Sequence, residues 1–210
     1  MLIDRVYEGS GWQHALPTPS GTTGSHVFWE PWNVAVFLHM RATAASPHWV
    51  VAVASVLAEW PLVVAAGLTG WLLWQKRDGV GVARLVVACG AALLIEALVS
   101  RLAFHPRPFA AGFGPAWVAH AANNSMPSTH VTLAAIMAIA LALRQQRRAA
   151  AVVLVLAAML AWARIYVGIH WPADMLGAAV SAGISTIIAT GLVRLLPNRC
   201  IPAFFRWRNP

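Results

Sequence analysis

Residues 149–174 read AAAVVLVLAAMLAWARIYVGIHWPAD. Ala149 to Ala163 are uncharged, and the next eleven positions bring Arg164, His170 and Asp174. At about 1.5 Å per residue, a helix over 149–168 approaches the ~30 Å thickness of a bilayer's hydrocarbon core. The run therefore predicts a membrane-spanning helix. Ionisable groups are costly in hydrocarbon and mark function where they are kept. The end of the run thus asks what an arginine, a histidine and an aspartate do at the edge of an apolar segment.

The same character extends over the whole chain. Of 210 residues, 59% are hydrophobic and 10% charged, against about a quarter charged in a typical soluble domain. That balance reads as an integral membrane protein. The formal net charge is +8, from fifteen Lys and Arg against seven Asp and Glu. No basic stripe with interleaved aromatics goes with it, so nucleic acid is not an expected partner. Loop charge and an anionic ligand account for it instead. Cys89 and Cys200 lie far apart and suggest neither a disulfide framework nor a metal site. The first thirty residues lack the apolar stretch of a cleavable signal peptide, so the first span is expected to direct insertion.

Five apolar runs cover residues 48–74, 82–103, 128–144, 149–168 and 173–196. Trp49 lies near one end of the first run, and Trp71 and Trp74 near the other, as interfacial aromatic belts prefer. Residues 32–44, WNVAVFLHMRATA, are helical in pattern but short and carry Arg41. A span needs about 20 apolar residues, so a short interfacial helix is expected there. The expected fold is all-α: a polytopic membrane bundle of five transmembrane helices plus that N-terminal interfacial helix. The expected organisation is a polar tail and interfacial helix over 1–47, a membrane domain over 48–196 and a basic cytoplasmic tail over 197–210.

Basic residues set orientation. One face receives Lys76, Arg77, Arg84, Arg144, Arg147, Arg148, Arg194, Arg199, Arg206 and Arg208. The other receives Arg5, Arg41, Arg101, Arg107 and Arg164. The richer face is expected to be cytoplasmic. Three of the five arginines on the outer face, Arg101, Arg107 and Arg164, stand beside polar motifs. Insertion does not require that placement; a site does.

Three elements carry the chemistry. In SRLAFHPRPF, residues 100–109, Arg101 ends a span, and Pro106 and Pro108 restrict the backbone around Arg107. Paired guanidiniums suit a phosphate because they offer bidentate donors and stay charged. Taken alone they read more readily as interfacial arginines that snorkel. In Pro127-Ser128-Thr129-His130, Pro and Ser open a helix whose free N–H groups make an anion cradle. His130 on that first turn is placed to donate a proton; the alternative is a capping serine before an interfacial histidine. In the third element Asp174, four residues after His170, can accept the Nδ1 proton and leave Nε2 as a nucleophile or base. The competing reading is a satisfied interfacial ion pair with Arg164.

The ordered set Arg107-Pro108, Pro127-Ser128-Thr129-His130 and Arg164-x5-His170-x3-Asp174 resembles the type 2 phosphatidic acid phosphatase superfamily of membrane lipid phosphatases. The resemblance covers about residues 48–196. Four departures stand out: Ser100 where the family has Lys, Thr129 for Gly, Ala163 for Ser, and Asn123 for an Asp of one branch. That branch, the undecaprenyl-diphosphate phosphatases, is similar in FHPRPF and HAANNSMPSTH, and Glu59 resembles an acid seen there. The resemblance implies His170 as nucleophile, Asp174 as its support and His130 as general acid. Arg101, Arg107 and Arg164, with Ser128 and Thr129, then bind phosphate, and Glu59 is a candidate pocket residue. One carboxylate near the site is too few for a magnesium cage, so neither metal nor other cofactor is expected. The implied partner is a lipid phosphate, and the implied location a bacterial plasma membrane with the site facing outward. Alternatives are phosphatidylglycerophosphate, phosphatidate or lipid A as substrate, a phosphotransferase, or a non-catalytic lipid binder or transporter.

Overall fold

The computed structural model describes residues 30–195. Among them the chain forms seven helices: α1 (Glu30–Met40), α2 (His48–Leu57), α3 (Trp60–Gln75), α4 (Gly79–Leu102), α5 (Thr129–Leu143), α6 (Arg147–Tyr166) and α7 (Pro172–Leu195). Four stretches are long and apolar enough to cross a membrane: His48–Gln75, Gly79–Leu102, Arg147–Tyr166 and Pro172–Leu195. The remaining expected span, over 128–144, is the apolar 15-residue α5. At 1.5 Å per residue α5 is about 22 Å long.

α5 is the central helix and packs against α3, α4, α6 and α7. Its contacts are made largely through small residues. Ala134 and Ala138 of α5, Ala88 and Ala92 of α4, Ala157 of α6, and Ala178 and Ala182 of α7 are all buried. Small side chains let backbones approach closely, which drives association where lipid is as apolar as the helix surface. Ile136, Leu141 and Leu160 are buried beside them, while many other large apolar side chains point outward: Leu94, Leu98, Val180 and Ile187 are exposed. In water such a surface would aggregate; in a bilayer it is the solvated face.

The first expected span is broken into α2 and α3 around Ala58 and Glu59. Pro61 lies at the start of α3 and has no N–H to continue the ladder. Leu62 N donates to Glu59 O instead, which leaves the Ala58 carbonyl free of its i+4 donor.

At one end of the bundle Arg144 Nε pairs with Asp78, tying the end of α5 to the start of α4. Asp78 also accepts from Gly81 N at 2.9 Å and so caps α4. By helix direction Lys76, Arg77, Arg84, Arg147, Arg148 and Arg194 share that end. Arg5, Arg199, Arg206, Arg208 and Cys200 lie outside the described residues. The 103–128 loop, the start of α5 and the α6–α7 turn lie at the opposite end.

The helix expected at the interface is more deeply engaged than that reading implies. Asn33 and Phe37 of α1 are buried. Asn33 Oδ1 accepts from Ala173 N at 2.9 Å, and the Phe37 and Trp171 rings lie 4.9 Å apart. α1 thus braces the first turn of α7.

Candidate active site

The α6–α7 turn carries the centre of the site. Its backbone doubles back through Gly168 at φ +81°, where a Cβ would meet the Pro115 carbonyl. That turn sets His170 above the first turn of α7. His170 Nδ1 lies 3.0 Å from Asp174 Oδ2, and both residues are buried. A carboxylate only accepts here, so Nδ1 carries the proton and Nε2 holds a lone pair. Asp174 Oδ2 also accepts from Trp171 N at 2.7 Å and Ser125 Oγ at 2.5 Å, while Oδ1 faces His105 Nδ1 at 3.6 Å. These contacts fix the carboxylate, and through it the imidazole.

His170 Nε2 faces two guanidiniums, with Arg107 Nη1 at 3.0 Å and Arg164 Nη2 at 3.4 Å. Burial, with help from the two arginines and against the pull of Asp174, lowers the His170 pKa to about 3. The ring is therefore neutral at ordinary pH, which is the state a nucleophile requires.

Each arginine is held by backbone carbonyls. Arg107 donates from Nη1 to Ile169 O at 2.8 Å, from Nη2 to Asn124 O at 3.2 Å and from Nε to Asn123 Oδ1 at 2.8 Å. Burial lowers its pKa and the Asp174 carboxylate opposes the shift. Arg164 Nη1 donates to Ala58 O at 2.8 Å, the carbonyl that the Pro61 break leaves available. Its buried Nε has no partner among the described residues.

The start of α5 closes the cluster. Ser128 is the N-cap, yet its side chain makes no capping bond and its Oγ is buried without a partner among the described residues. Thr129 begins the helix, and Pro127 precedes the cap rather than occupying the first turn. His130, half-buried on the first turn, lies within electrostatic reach of Arg107, His120 and Arg164. The free N–H groups of that turn are suited to an anion.

The structure therefore brings together His170, Asp174, Arg107 and Arg164 by direct contact, with Ser128, Thr129 and His130 on the adjoining turn. Arg101 is not drawn in: it is exposed in the last turn of α4 and makes no hydrogen bond to the cluster. Glu59 is exposed at the α2–α3 break, close enough to influence His120 and Arg164 electrostatically. Sequence reasoning missed Ser125, His105, His120 and Asn33. The first three lie in the 103–128 loop, where no periodic pattern says which side chains turn inward.

Residues 81–198, which include all three motifs, match the PAP2 superfamily. The chain belongs to that superfamily. It is a multi-pass membrane phosphatase, a hydrolase of phosphoric esters. It is 30% identical over 181 residues to "Putative undecaprenyl-diphosphatase YbjG" of Escherichia coli (strain K12), covering 83% of this chain and 89% of that protein. It is 37% identical over 112 residues to "Undecaprenyl-diphosphatase BcrC" of Bacillus subtilis (strain 168), covering 53% of this chain and 58% of that one. Among solved structures, Aquifex aeolicus LpxE shares the fold at a TM-score of 0.58 and 19% identity, covering 76% of this chain and 95% of that one.

Proposed function

We propose that this phosphatase hydrolyses the terminal phosphate of a lipid diphosphate, undecaprenyl diphosphate being the substrate that its relatives' names favour. The observation that carries the reading is the imidazole of His170. Asp174 fixes one nitrogen and the other faces Arg107 and Arg164. In the first step Nε2 attacks the terminal phosphorus, and the bond to the bridging oxygen breaks as the N–P bond forms. His130 gives its proton to the departing lipid phosphate. In the second step His130 takes a proton from water as the water oxygen attacks phosphorus. Inorganic phosphate leaves and His170 regains its lone pair. The guanidiniums and the N–H groups at the start of α5 offset charge on the equatorial oxygens.

The basic end of the bundle supports a cytoplasmic placement for that end, and with it a site facing outward from a bacterial plasma membrane. Residues 48–196 would form the phosphatase domain and 197–210 a cytoplasmic tail. The test is phosphate release from undecaprenyl diphosphate in detergent with EDTA present, comparing wild type with His170→Ala. The expected outcome is release by the wild type and a loss of at least about a thousandfold in the variant, as for other covalent nucleophiles. Equal release by both would overturn the assignment of His170. A chelator-sensitive wild type would overturn the arginine-based mechanism. Phosphatidate, phosphatidylglycerophosphate and lipid A run in parallel would separate the substrate classes.

A further inference from the structure

His120 belongs to none of the three motifs, yet it enters the site from the 103–128 loop. Its Nε2 lies 3.3 Å from Arg164 Nη2, and its ring centroid lies 6.3 Å from that of His170 at an interplanar angle of 77°. Its tautomer follows from the partners. Nδ1 is 3.1 Å from Ala121 O, and a carbonyl only accepts, so the proton is on Nδ1. Nε2 is then an acceptor for Arg164. Arg164 Nη2 thus stands between two imidazole lone pairs, those of His120 and His170.

Nη2 carries two N–H bonds, one for each ring, so a phosphate whose oxygens take up both displaces both imidazoles. For His170 this frees the lone pair for attack. For His120 it turns a lone pair toward phosphate oxygens, which is repulsive unless a proton intervenes. We propose that His120 is a phosphate-contacting residue: phosphate displaces it from Arg164, and its Nε2 then takes up a proton from the buffer, keeps it, and donates a hydrogen bond through that N–H to a phosphate oxygen. The proposal rests on the reading of Arg164 as a phosphate ligand.

The charges around the ring make the proton conditional on the anion. Burial and the neighbouring Arg107 and Arg164 lower the His120 pKa, and Glu59 opposes them. His130 and His170 are the other titratable groups close by. A phosphate dianion reverses the local field and makes the imidazolium favourable. An imidazole that merely propped Arg164 would not change its protonation when phosphate binds.

The experiment uses the purified full-length protein in detergent with inorganic phosphate as the probe. Calorimetric titration near pH 7 in two buffers of different ionisation enthalpy reports the protons taken up on binding. Wild type, His120→Gln and His120→Ala are compared, with thermal unfolding as the control for folding. The ligand's own titration is common to all three and cancels. The proposal expects less proton uptake in both variants. It also expects affinity to fall by about tenfold in His120→Ala, the scale of one charge-assisted hydrogen bond, and by less in His120→Gln. Unchanged proton uptake, or no phosphate binding by the wild type, would overturn it. Phosphate release assayed on the same samples keeps the two readings apart. Proton-linked binding without hydrolysis would sink the phosphatase mechanism and leave His120 as proposed.

Discussion

At the scale of single residues, the site separates arginines that sequence alone treats alike. Arg107 and Arg164 are pinned by carbonyls and aimed at His170 Nε2, whereas Arg101 is exposed. Arg107→Gln and Arg164→Gln are each expected to lower kcat by about a hundredfold or more, the scale of losing a donor to transition-state charge. Arg101→Gln should stay within about twofold, because an exposed side chain without such contacts is not expected to carry that charge. A turnover assay on the three proteins checks the ranking. His170 also makes stability depend on pH. Its folded pKa of about 3 lies below the ~6.5 of a free imidazole, so the unfolded chain binds more protons between those values. Stability is accordingly full above about pH 6.5 and is lost as pH falls toward 3. Thermal unfolding in detergent should show a lower midpoint at pH 5 than at pH 7, and a smaller drop in His170→Asn. The pairing of His170 with Asp174 is legible in sequence because four residues across a helix start bring the side chains together. Ser125 was not, because its bond to Asp174 Oδ2 spans 49 positions and depends on the path of a loop.

At the scale of elements, the apolar runs gave the helices because hydrocarbon demands that every backbone group be paired within its own segment. What composition does not report is where a helix is interrupted to serve the site. Pro61 signals a break, but only the fold shows that the Ala58 carbonyl, left without its Leu62 donor at that break, anchors Arg164. α1 is similar. A lone asparagine in the apolar stretch WNVAVFLHM was the available signal, and its partner is the backbone of Ala173, 140 positions away. Asn33→Ala is expected to loosen the first turn of α7 and lower kcat by about tenfold with little change in KM, as losing one buried hydrogen bond of roughly 1–2 kcal/mol implies. Steady-state kinetics on a protein of unchanged helical content, by circular dichroism, checks it. An equal loss in KM would instead place α1 at the substrate.

At the scale of the whole molecule, the bundle has two unlike ends. One collects lysine and arginine and is tied by the pair of Arg144 with Asp78. The other holds Arg107 and Arg164 against carbonyls and an imidazole. The short central helix links them. Its Arg144 end is fixed among the basic residues, so its shortfall against a ~30 Å hydrocarbon core falls at the Ser128 and His130 end. The floor of the site is then expected several ångströms beneath the headgroup plane. A proposed lipid substrate must have its phosphate drawn downward, or the surrounding leaflet must dip to meet the protein. Host-lipid thickness thereby becomes a kinetic variable. Reconstituted in short-chain phosphatidylcholine, the enzyme should turn over faster than in long-chain phosphatidylcholine at equal surface density of substrate, and equal rates would place the site at headgroup level. The local depth of the bilayer would act as a rheostat on catalysis, set by the lipids and sensed by one helix that is too short.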